Sequence, residues 1–542
     1  MKLSKHAFTR FWDVHAWAGV CAGLLLHVIF FAGAFTVFRE DLEVWQDPAL
    51  AVSPTEVKSV DALMAPQLAT LPRAPEIVGV WLPSPEHATL AFNAKLPGEA
   101  EWRAMVRLDP TTGAIVAPGA RSRLSTILYY LHFLYHPNAP WGMYVAGFVT
   151  VALLLVLVTG VLIHIKDLAR QLHQFRPKQK LRVVWSDLHK VLGVFGIPFQ
   201  MMYAFTGIVI ALAGLQIAAY AWPLYGGDEK AARQAMYGTP AIPEKPSGIT
   251  RASLPFDDLL TRARTAVPEL EPRLIRVHHL GDENATAQVW GDVPGVLFSA
   301  WAGGVVMRAH DGQVLHTSDP RVSATPASAV WRWVGGLHYI YFGGLGLRIL
   351  YALLAFATCF TILTGNWIWL ERRDAKRAHV GNRIFERLTV AAGGGLCLAT
   401  AALFWTNRVF PVGSAGRKTA EALAFFGVWT VALVYCLIRR NAHRAWIATL
   451  GPAGTLMALL PLVSAVAADK HVFNLSAHGA WAIAGVDLGM AVLGLGLIFT
   501  ARALHLRTRV EALALIAGIA PATSHTEDPT LPEIFAAGRS SR

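Results

Sequence analysis

The chain alternates long apolar runs with polar connections, and the run lengths set the architecture. Eight stretches, at roughly residues 11–38, 141–165, 187–219, 345–370, 386–406, 421–438, 444–467 and 478–501, are long and apolar enough to read as membrane-spanning helices. Two long segments between them, at about 39–130 and 220–335, have a different period. In the first, EIVGVWLP, ATLAFNA and AMVRLD alternate around the turn Asp109-Pro110-Thr111-Thr112-Gly113 ahead of AIVAP. In the second, LIRVHHL, TAQVWGD and GVVMRAH lead to Asp311-Gly312 and QVLH. Alternation, an Asp/Gly turn and renewed alternation predict hairpins. The stretches Val57–Leu68 and Phe256–Val267 carry helical spacing. The expected fold is therefore mainly α, a polytopic membrane helix bundle with two small α+β modules.

The first four spans form an internal duplication. VHAWAGVCAGLLLHVIFFAG places His15 four residues before Gly19 and reaches Gly33 fourteen residues later; LHKVLGVFGIPFQMMYAFTG does the same with His189, Gly193 and Gly207. A second pattern runs from His132 to Gly160 and from His338 to Gly365, spaced 28 and 27 residues. The chain divides into a first repeat (1–182), a second repeat (183–380), an additional four-helix region (381–505) and a C-terminal tail (506–542).

Composition narrows the class. Of 542 residues, 54% are hydrophobic and 15% charged, which excludes an ordinary soluble domain. The net charge of +12 raises a nucleic-acid partner, but the basic residues cluster between spans. Lys166, Arg170, Arg176, Lys178, Lys180 and Arg182 fill one connection, and Arg372, Arg373, Lys376, Arg377, Arg383 and Arg387 another. Arg439, Arg440 and Arg444 fill a third. This is membrane topology: the positive-inside rule puts these connections and both termini in the cytoplasm and the two modules outside. The N-terminal apolar run is expected to stay as a retained helix, not a cleaved signal. Cys21, Cys359, Cys397 and Cys436 all fall in apolar runs, and no CxxCH is present for covalent haem attachment.

Four recurring histidines carry the candidate chemistry. An ionisable residue in or beside a span marks a site, although an isolated one is as readily a hydrogen-bonded structural residue. Duplicated spans of equal topology are related by an axis along the membrane normal, so equivalent residues face each other at one depth. His15 then meets His189 near the cytoplasmic side, and His132 meets His338 near the outer side. Two facing imidazoles suit the axial positions of a b-type haem, whereas zinc calls for four ligands and nothing else suitable recurs beside them. The expectation is two b-type haems, with the recurring glycines giving close approach to a helix or a flat macrocycle.

Other residues stay in reserve. His27 aligns with Met201, about 18 Å along the helix from His15, and is an alternative ligand at mid-depth. His164 aligns with Trp369, and His136 precedes Pro137. From Trp141 to His164 is already 23 residues, so His132 lies at the outer surface unless 125–140 and 331–344 tuck inward. Arg348, ten residues past His338, calls for a haem propionate or the headgroup layer. The aromatics around the outer histidines, among them Tyr129, Trp141, Trp331 and Tyr339, fit an interfacial belt or a pocket wall.

The HxxxG spans ending in Gly, the LH-to-TG spans and the Asp-Pro-Thr-Thr-Gly hairpin together resemble the PepSY-associated transmembrane family over roughly residues 1–380. That family includes inner-membrane, di-haem ferric-siderophore reductases. The resemblance implies a bacterial inner-membrane oxidoreductase that reduces a periplasmic ferric siderophore and releases Fe(II), which hard oxygen ligands hold less tightly. No G-x-G-x-x-G fingerprint follows a strand, so the electron donor is a partner, a quinol or a cytoplasmic reductase. Two other readings stand beside it: a haem-free membrane sensor whose modules bind peptides or restrain a peptidase, and an iron or siderophore transporter. No motif assigns a role to the last four spans.

Overall fold

The computed structural model describes residues 4–516 except 53–56, 85–86, 100–101, 104, 178, 180, 238–244, 297–300, 302, 323–325, 341, 374–378, 440, 469 and 475–479. Lys178, Lys180, Lys376, Arg377, Arg440 and the tail beyond 516 thus lie outside the described residues. Among the described residues, eight helices are long and apolar enough to cross a membrane: Lys5–Thr36, Gly142–His164, Arg182–Ala211, Leu345–Glu371, Val380–Val409, Arg417–Ile438, Ala442–Ala467 and Trp481–Leu506. They match the eight apolar runs, with one correction. The third run was read to 219, but the spanning helix ends at Ala211 and the chain bends at Leu212 into a separate helix, Ala213–Tyr225. Apolarity continues through the bend, so hydropathy alone cannot mark it. Trp222 and Leu224 on this second helix are strongly exposed, as an interfacial segment would be.

The first four spans pack in a ring, each against the next and the fourth against the first. The fifth to eighth build a second bundle that touches the first through the fourth and first spans and through the helix Arg39–Gln46. Within the fifth span, Ala391–Gly395 opens into a π-helical turn whose Ala391 carbonyl accepts from Trp429 Nε1 at 3.0 Å. Gly393 and Gly394 lie against Trp446 and Thr449, where a Cβ would collide.

All eight predicted strands form, but not as two separate sheets. β1 (Ile77–Trp81), β2 (Leu90–Lys95), β3 (Val106–Leu108) and β4 (Ile115–Ala117) come from the first module. β5 (Glu271–His278), β6 (Thr286–Asp292), β7 (Gly303–Arg308) and β8 (Val314–Ser318) come from the second. They join in one antiparallel sheet ordered β4-β3-β2-β1-β5-β6-β7-β8, with Ile77 opposite His278 and Trp81 opposite Leu274 at the seam. Each module's exposed edge is thereby paired by its duplicate, which removes the free ladder an edge strand would leave.

The helices Val60–Ala69 and Phe256–Ala266 cover one face, burying Met64, Val78, Val80, Leu259, Ile275 and Val289 in a shared core. They also cap one another. Asp61 accepts from Phe256 N and Asp257 N, both at 2.9 Å, while Asp257 accepts from Val60 N at 2.9 Å and Ser59 Oγ at 2.6 Å. Each carboxylate thus satisfies amides at the start of the other module's helix. Burial pushes Asp61 upward from the usual carboxylate range. Burial acts the same way on Asp257, but the Ser59 hydroxyl and the Val60 and Asp61 amides outweigh it and hold that group low.

Asp257→Ala is expected to destabilise the sheet domain by about 1–2 kcal/mol at neutral pH, the cost of a lost cap. Because the native carboxyl is depressed, its contribution is present above the unfolded carboxylate range and fades as pH falls through the native value. Thermal unfolding of the detergent-purified protein should therefore separate variant from wild type at pH 7 and bring them together in strong acid.

Candidate functional site

The duplicated frame brings the four recurring histidines together as two facing pairs. Far from the sheet, the rings of His15 and His189 lie with centroids 6.2 Å apart and planes crossed at 84°. His15 Nδ1 donates to the Val156 carbonyl of the second span at 2.9 Å, and His189 Nδ1 to the Thr361 carbonyl of the fourth at 2.9 Å. A carbonyl only accepts, so each Nδ1 holds the proton and each Nε2 the lone pair. Four residues beyond each acceptor is a glycine, Gly160 or Gly365. A Cβ there would stand 3.1 Å from Cε1 of His15 or of His189. One turn past the histidines, a Cβ on Gly19 would meet nothing within 4 Å, and one on Gly193 only Thr361 at 3.9 Å. The inner faces of these helices leave open space beside both rings.

The sheet-side pair repeats the scheme with one variation. His132 and His338 have centroids 5.9 Å apart and planes tilted by 38°. His132 Nδ1 donates to the Ile29 carbonyl at 2.9 Å, and a Cβ on Gly33, four residues further on, would lie 2.9 Å from the ring. His338 instead bonds Thr206 Oγ1 at 2.9 Å. That hydroxyl already donates to the Met202 carbonyl at 2.8 Å, so here too Nδ1 carries the proton. Tyr203 donates to the His338 carbonyl at 3.2 Å and fixes the end of its helix. Thr206 and Tyr203 were not singled out from the sequence. The Thr-Gly step common to the second, third and fourth spans was the available signal.

Depth follows from the same bonds. His132 ends the helix Leu124–His132 and His338 lies one residue from the end of Pro326–Tyr339; both helices fold inward from the sheet side. His132 reaches Ile29, seven residues before the end of the first span, roughly 10 Å inward at 1.5 Å per residue. From His15 to Ile29 is fourteen residues, so the two pairs are separated by about 21 Å along the helix. A cavity of about 240 Å³ surrounds the sheet-side pair. His132, His338, Gly33, Gly207, Phe30, Phe199, Tyr203 and Tyr351 line it.

The reserve residues lie elsewhere. His27 is buried at 3% exposure and does not line this cavity; its ring faces the backbone of Cys359 and Ala392. Its ring packs beside Phe31. Arg348 pairs with Asp41 at 2.7 Å, which supplies the anion its position calls for. His164 ends the second span, within electrostatic range of His15 and His189. His136 is exposed and accepts from Asn138 N in a surface turn.

Two imidazoles on opposite sides of one metal ion, each roughly 2 Å from it by Nε2, have centroids roughly 6 Å apart. Both pairs meet that separation. Among the described residues no three His, Cys, Asp or Glu side chains gather as a metal site, so a donor set with only two protein ligands fits the residues and a four-ligand ion does not.

Fold and site define a class: polytopic membrane proteins whose duplicated four-span core presents two tiers of paired imidazoles beneath a shared β-sheet. The chain belongs to the PepSY-associated TM region family, whose model matches residues 12–372. The match begins in the first span and ends at the close of the fourth. The chain is also similar to a Pseudomonas aeruginosa protein described as uncharacterised, at 28% identity over 344 residues, covering 57% of this chain and 85% of that protein.

The glycine contacts are directly testable. Gly33→Ala forces its Cβ against His132 and is expected to cost about 1–3 kcal/mol through overpacking. Gly427→Ala, where nothing lies within 4 Å, should gain up to about 1 kcal/mol from helix propensity. Thermal unfolding of the two variants should move in opposite directions.

Proposed function

We propose that the chain binds two b-type haems, one between His15 and His189 and one between His132 and His338. On this reading it is an inner-membrane ferric-siderophore reductase. The observation that carries the reading is the pair of facing imidazoles, found twice, each at the spacing that two axial ligands require. When bound, such a haem supplies a one-electron Fe(III)/Fe(II) couple. Everything else is work for the protein's own side chains.

Each imidazole presents Nε2, because a carbonyl or hydroxyl acceptor holds the proton on Nδ1; the same bond fixes ring orientation and raises ligand basicity. Gly160, Gly365 and Gly33 let the rings approach the helices that hold them. Phe30, Phe199, Tyr203 and Tyr351 give the sheet-side cavity an aromatic wall. The basic connections, with Lys166, Arg170, Arg176, Arg182, Arg372, Arg373, Arg383 and Arg387, lie on the side opposite the sheet, and the positive-inside rule supports reading that side as cytoplasmic. The protein then takes electrons from a cytoplasmic reductase or a membrane quinol. On the sheet side it passes one electron to each chelated ferric ion, converting it to a ferrous ion that the siderophore's oxygen ligands hold weakly.

The first test is spectroscopic. Detergent-purified protein from haem-supplied cells should show a b-type spectrum on reduction and about two haems per chain by the pyridine haemochrome assay. Replacing His15, His189, His132 or His338 singly by Ala should remove one haem in each case. Electron paramagnetic resonance of the oxidised protein should resolve two low-spin signals, because the ring planes cross at 84° in one pair and 38° in the other. Colourless protein, or full haem content in all four variants, would refute the proposal. Gly19→Leu, which fills the open space beside His15, should lower occupancy of the far-side site alone.

A further inference from the structure

The last four spans lie beyond the family match, yet one of their side chains reaches the sheet-side pair through a single short helix. Leu124–His132 is nine residues long and ends in His132. A helix that short has little stability of its own, so the packing of Leu124, Ile127 and Leu128 in the core and the contacts at its two ends fix its place. Its C-terminal end is tied by the His132–Ile29 bond. Its N-cap residue, Arg123, offers no side-chain cap.

The missing cap comes from the sixth span. Glu421, fully buried, accepts from Arg123 N at 2.5 Å and stands 2.9 Å from Ser122 Oγ. Asn407 Nδ2 of the fifth span donates to the same carboxylate at 2.7 Å and to Ser122 Oγ at 3.0 Å. Arg417 balances the charge at 3.5 Å. The next two amides are met from within the first repeat, Leu124 N by Ser122 Oγ at 3.1 Å and Ser125 N by Gln46 Oε1 of the helix Arg39–Gln46 at 2.9 Å. A carboxylate at a helix start satisfies orphan amides and complements the positive end of the helix dipole. Leaving such groups buried and unpaired is what a helix this short cannot sustain.

The second half supports its ligand differently. Pro326–Tyr339 packs on the third span and on the helix Glu229–Tyr237, and His338 hangs from Thr206. Leu124–His132 is the one on which the fifth and sixth spans pack. Buried charge is costly in a membrane-embedded bundle unless it is paired and hydrogen-bonded, and here the pairing is spent at the start of a ligand helix.

We propose that Glu421 is a positioning residue for His132, so that this one side chain of the sixth span governs the occupancy and redox potential of the sheet-side haem and leaves the far-side one alone. The inference rests on the proposed haem reading. It makes one buried carboxylate of the additional bundle a support for one of two otherwise duplicate sites.

The test compares full-length wild type with Glu421→Ala, Glu421→Gln and, as a control, Asp487→Asn. Asp487 is buried in the same interface, bonded to Trp45 and Ser464 but not to the Leu124–His132 helix. Haem content, electron paramagnetic resonance and redox titration are read on each. Glu421→Ala should lose the sheet-side signal and keep the far-side one, which also reports that the protein is folded. Glu421→Gln keeps an acceptor for Arg123 N, so it should retain two haems. With a negative charge gone, the oxidised state is less favoured, and the sheet-side midpoint should rise while the far-side midpoint stays put. Asp487→Asn should keep both signals. Retention of both haems at wild-type potentials in Glu421→Ala, or equal loss of both in Glu421→Gln, overturns the inference alone. Wild-type protein without haem overturns the proposed function and this inference with it.

Discussion

An imidazole inside a helical bundle needs a hydrogen-bond acceptor, and in a membrane almost every backbone carbonyl is already engaged along its own helix. The acceptors used here are carbonyls with a second lone pair to offer, and a glycine four residues further on exposes them. In a helix, the carbonyl of residue i points toward residue i+4, whose side chain would otherwise stand over it. Val156 with Gly160, Thr361 with Gly365 and Ile29 with Gly33 share this geometry. The glycine lets the ring come close enough to bond the carbonyl. The bond then fixes tautomer, tilt and the direction of Nε2. For three of the four rings, the pairing, the depth and the chemistry open to them depend on that contact, and at His338 the Thr206 hydroxyl takes the carbonyl's place.

This contact explains why so much was legible in the primary structure. Spacing shows the glycine and the histidine as repeating marks even though they sit on different helices. The copies run in the same order in two halves, and their offsets scarcely vary. Spans and strands were legible for a simpler reason: each is a periodic local pattern, and both periods survive in this chain. What escaped was non-local. The β1–β5 seam joins residues nearly two hundred positions apart, and nothing in either strand marks it as a partner and not an edge. The bend at Leu212 is invisible because the apolar run does not stop. Arg348 calls for an anion, but its sequence neighbours do not reveal that the anion is Asp41 from the first repeat.

The two tiers are close copies but not equal. In the far tier both imidazoles donate to carbonyls that the Thr-Gly step keeps accessible, with Thr159 and Thr364 bonded back to those same carbonyls. In the sheet-side tier His132 also donates to a carbonyl, that of Ile29, but the residue before Gly33 is Ala32 and not a threonine. The third span carries the Thr-Gly step as well, yet its Thr206 hydroxyl, not a carbonyl, receives His338. A hydroxyl is a rotor whose proton is held only by its bond to Met202, whereas a carbonyl has a fixed direction. His338 is therefore held by a relay of two bonds and His132 by one.

That difference bears on where asymmetry enters a duplicated protein. A sheet made of two equivalent halves and a ring of four equivalent spans impose pseudo-symmetry on everything they hold. Thr206 under His338 breaks it from inside the repeat, and the additional four spans break it from outside. Their buried network of Glu421, Arg417, Asn407, Arg408 and Asp487 is concentrated against the first repeat, at Gln46, Trp45 and the Ser122–Ser125 turn. Burying this many charged groups costs more in desolvation than their mutual attraction returns unless geometry is well satisfied. Such a network is poor glue for merely adding a bundle to a core, because apolar packing does that at less cost. It is well suited to fixing one arrangement of a short helix among several of similar packing energy, since a shifted helix would leave paired charges unpaired. The side of the pair that this network touches is the one whose ligand sits at a helix end, where a small tilt at the start moves the imidazole most.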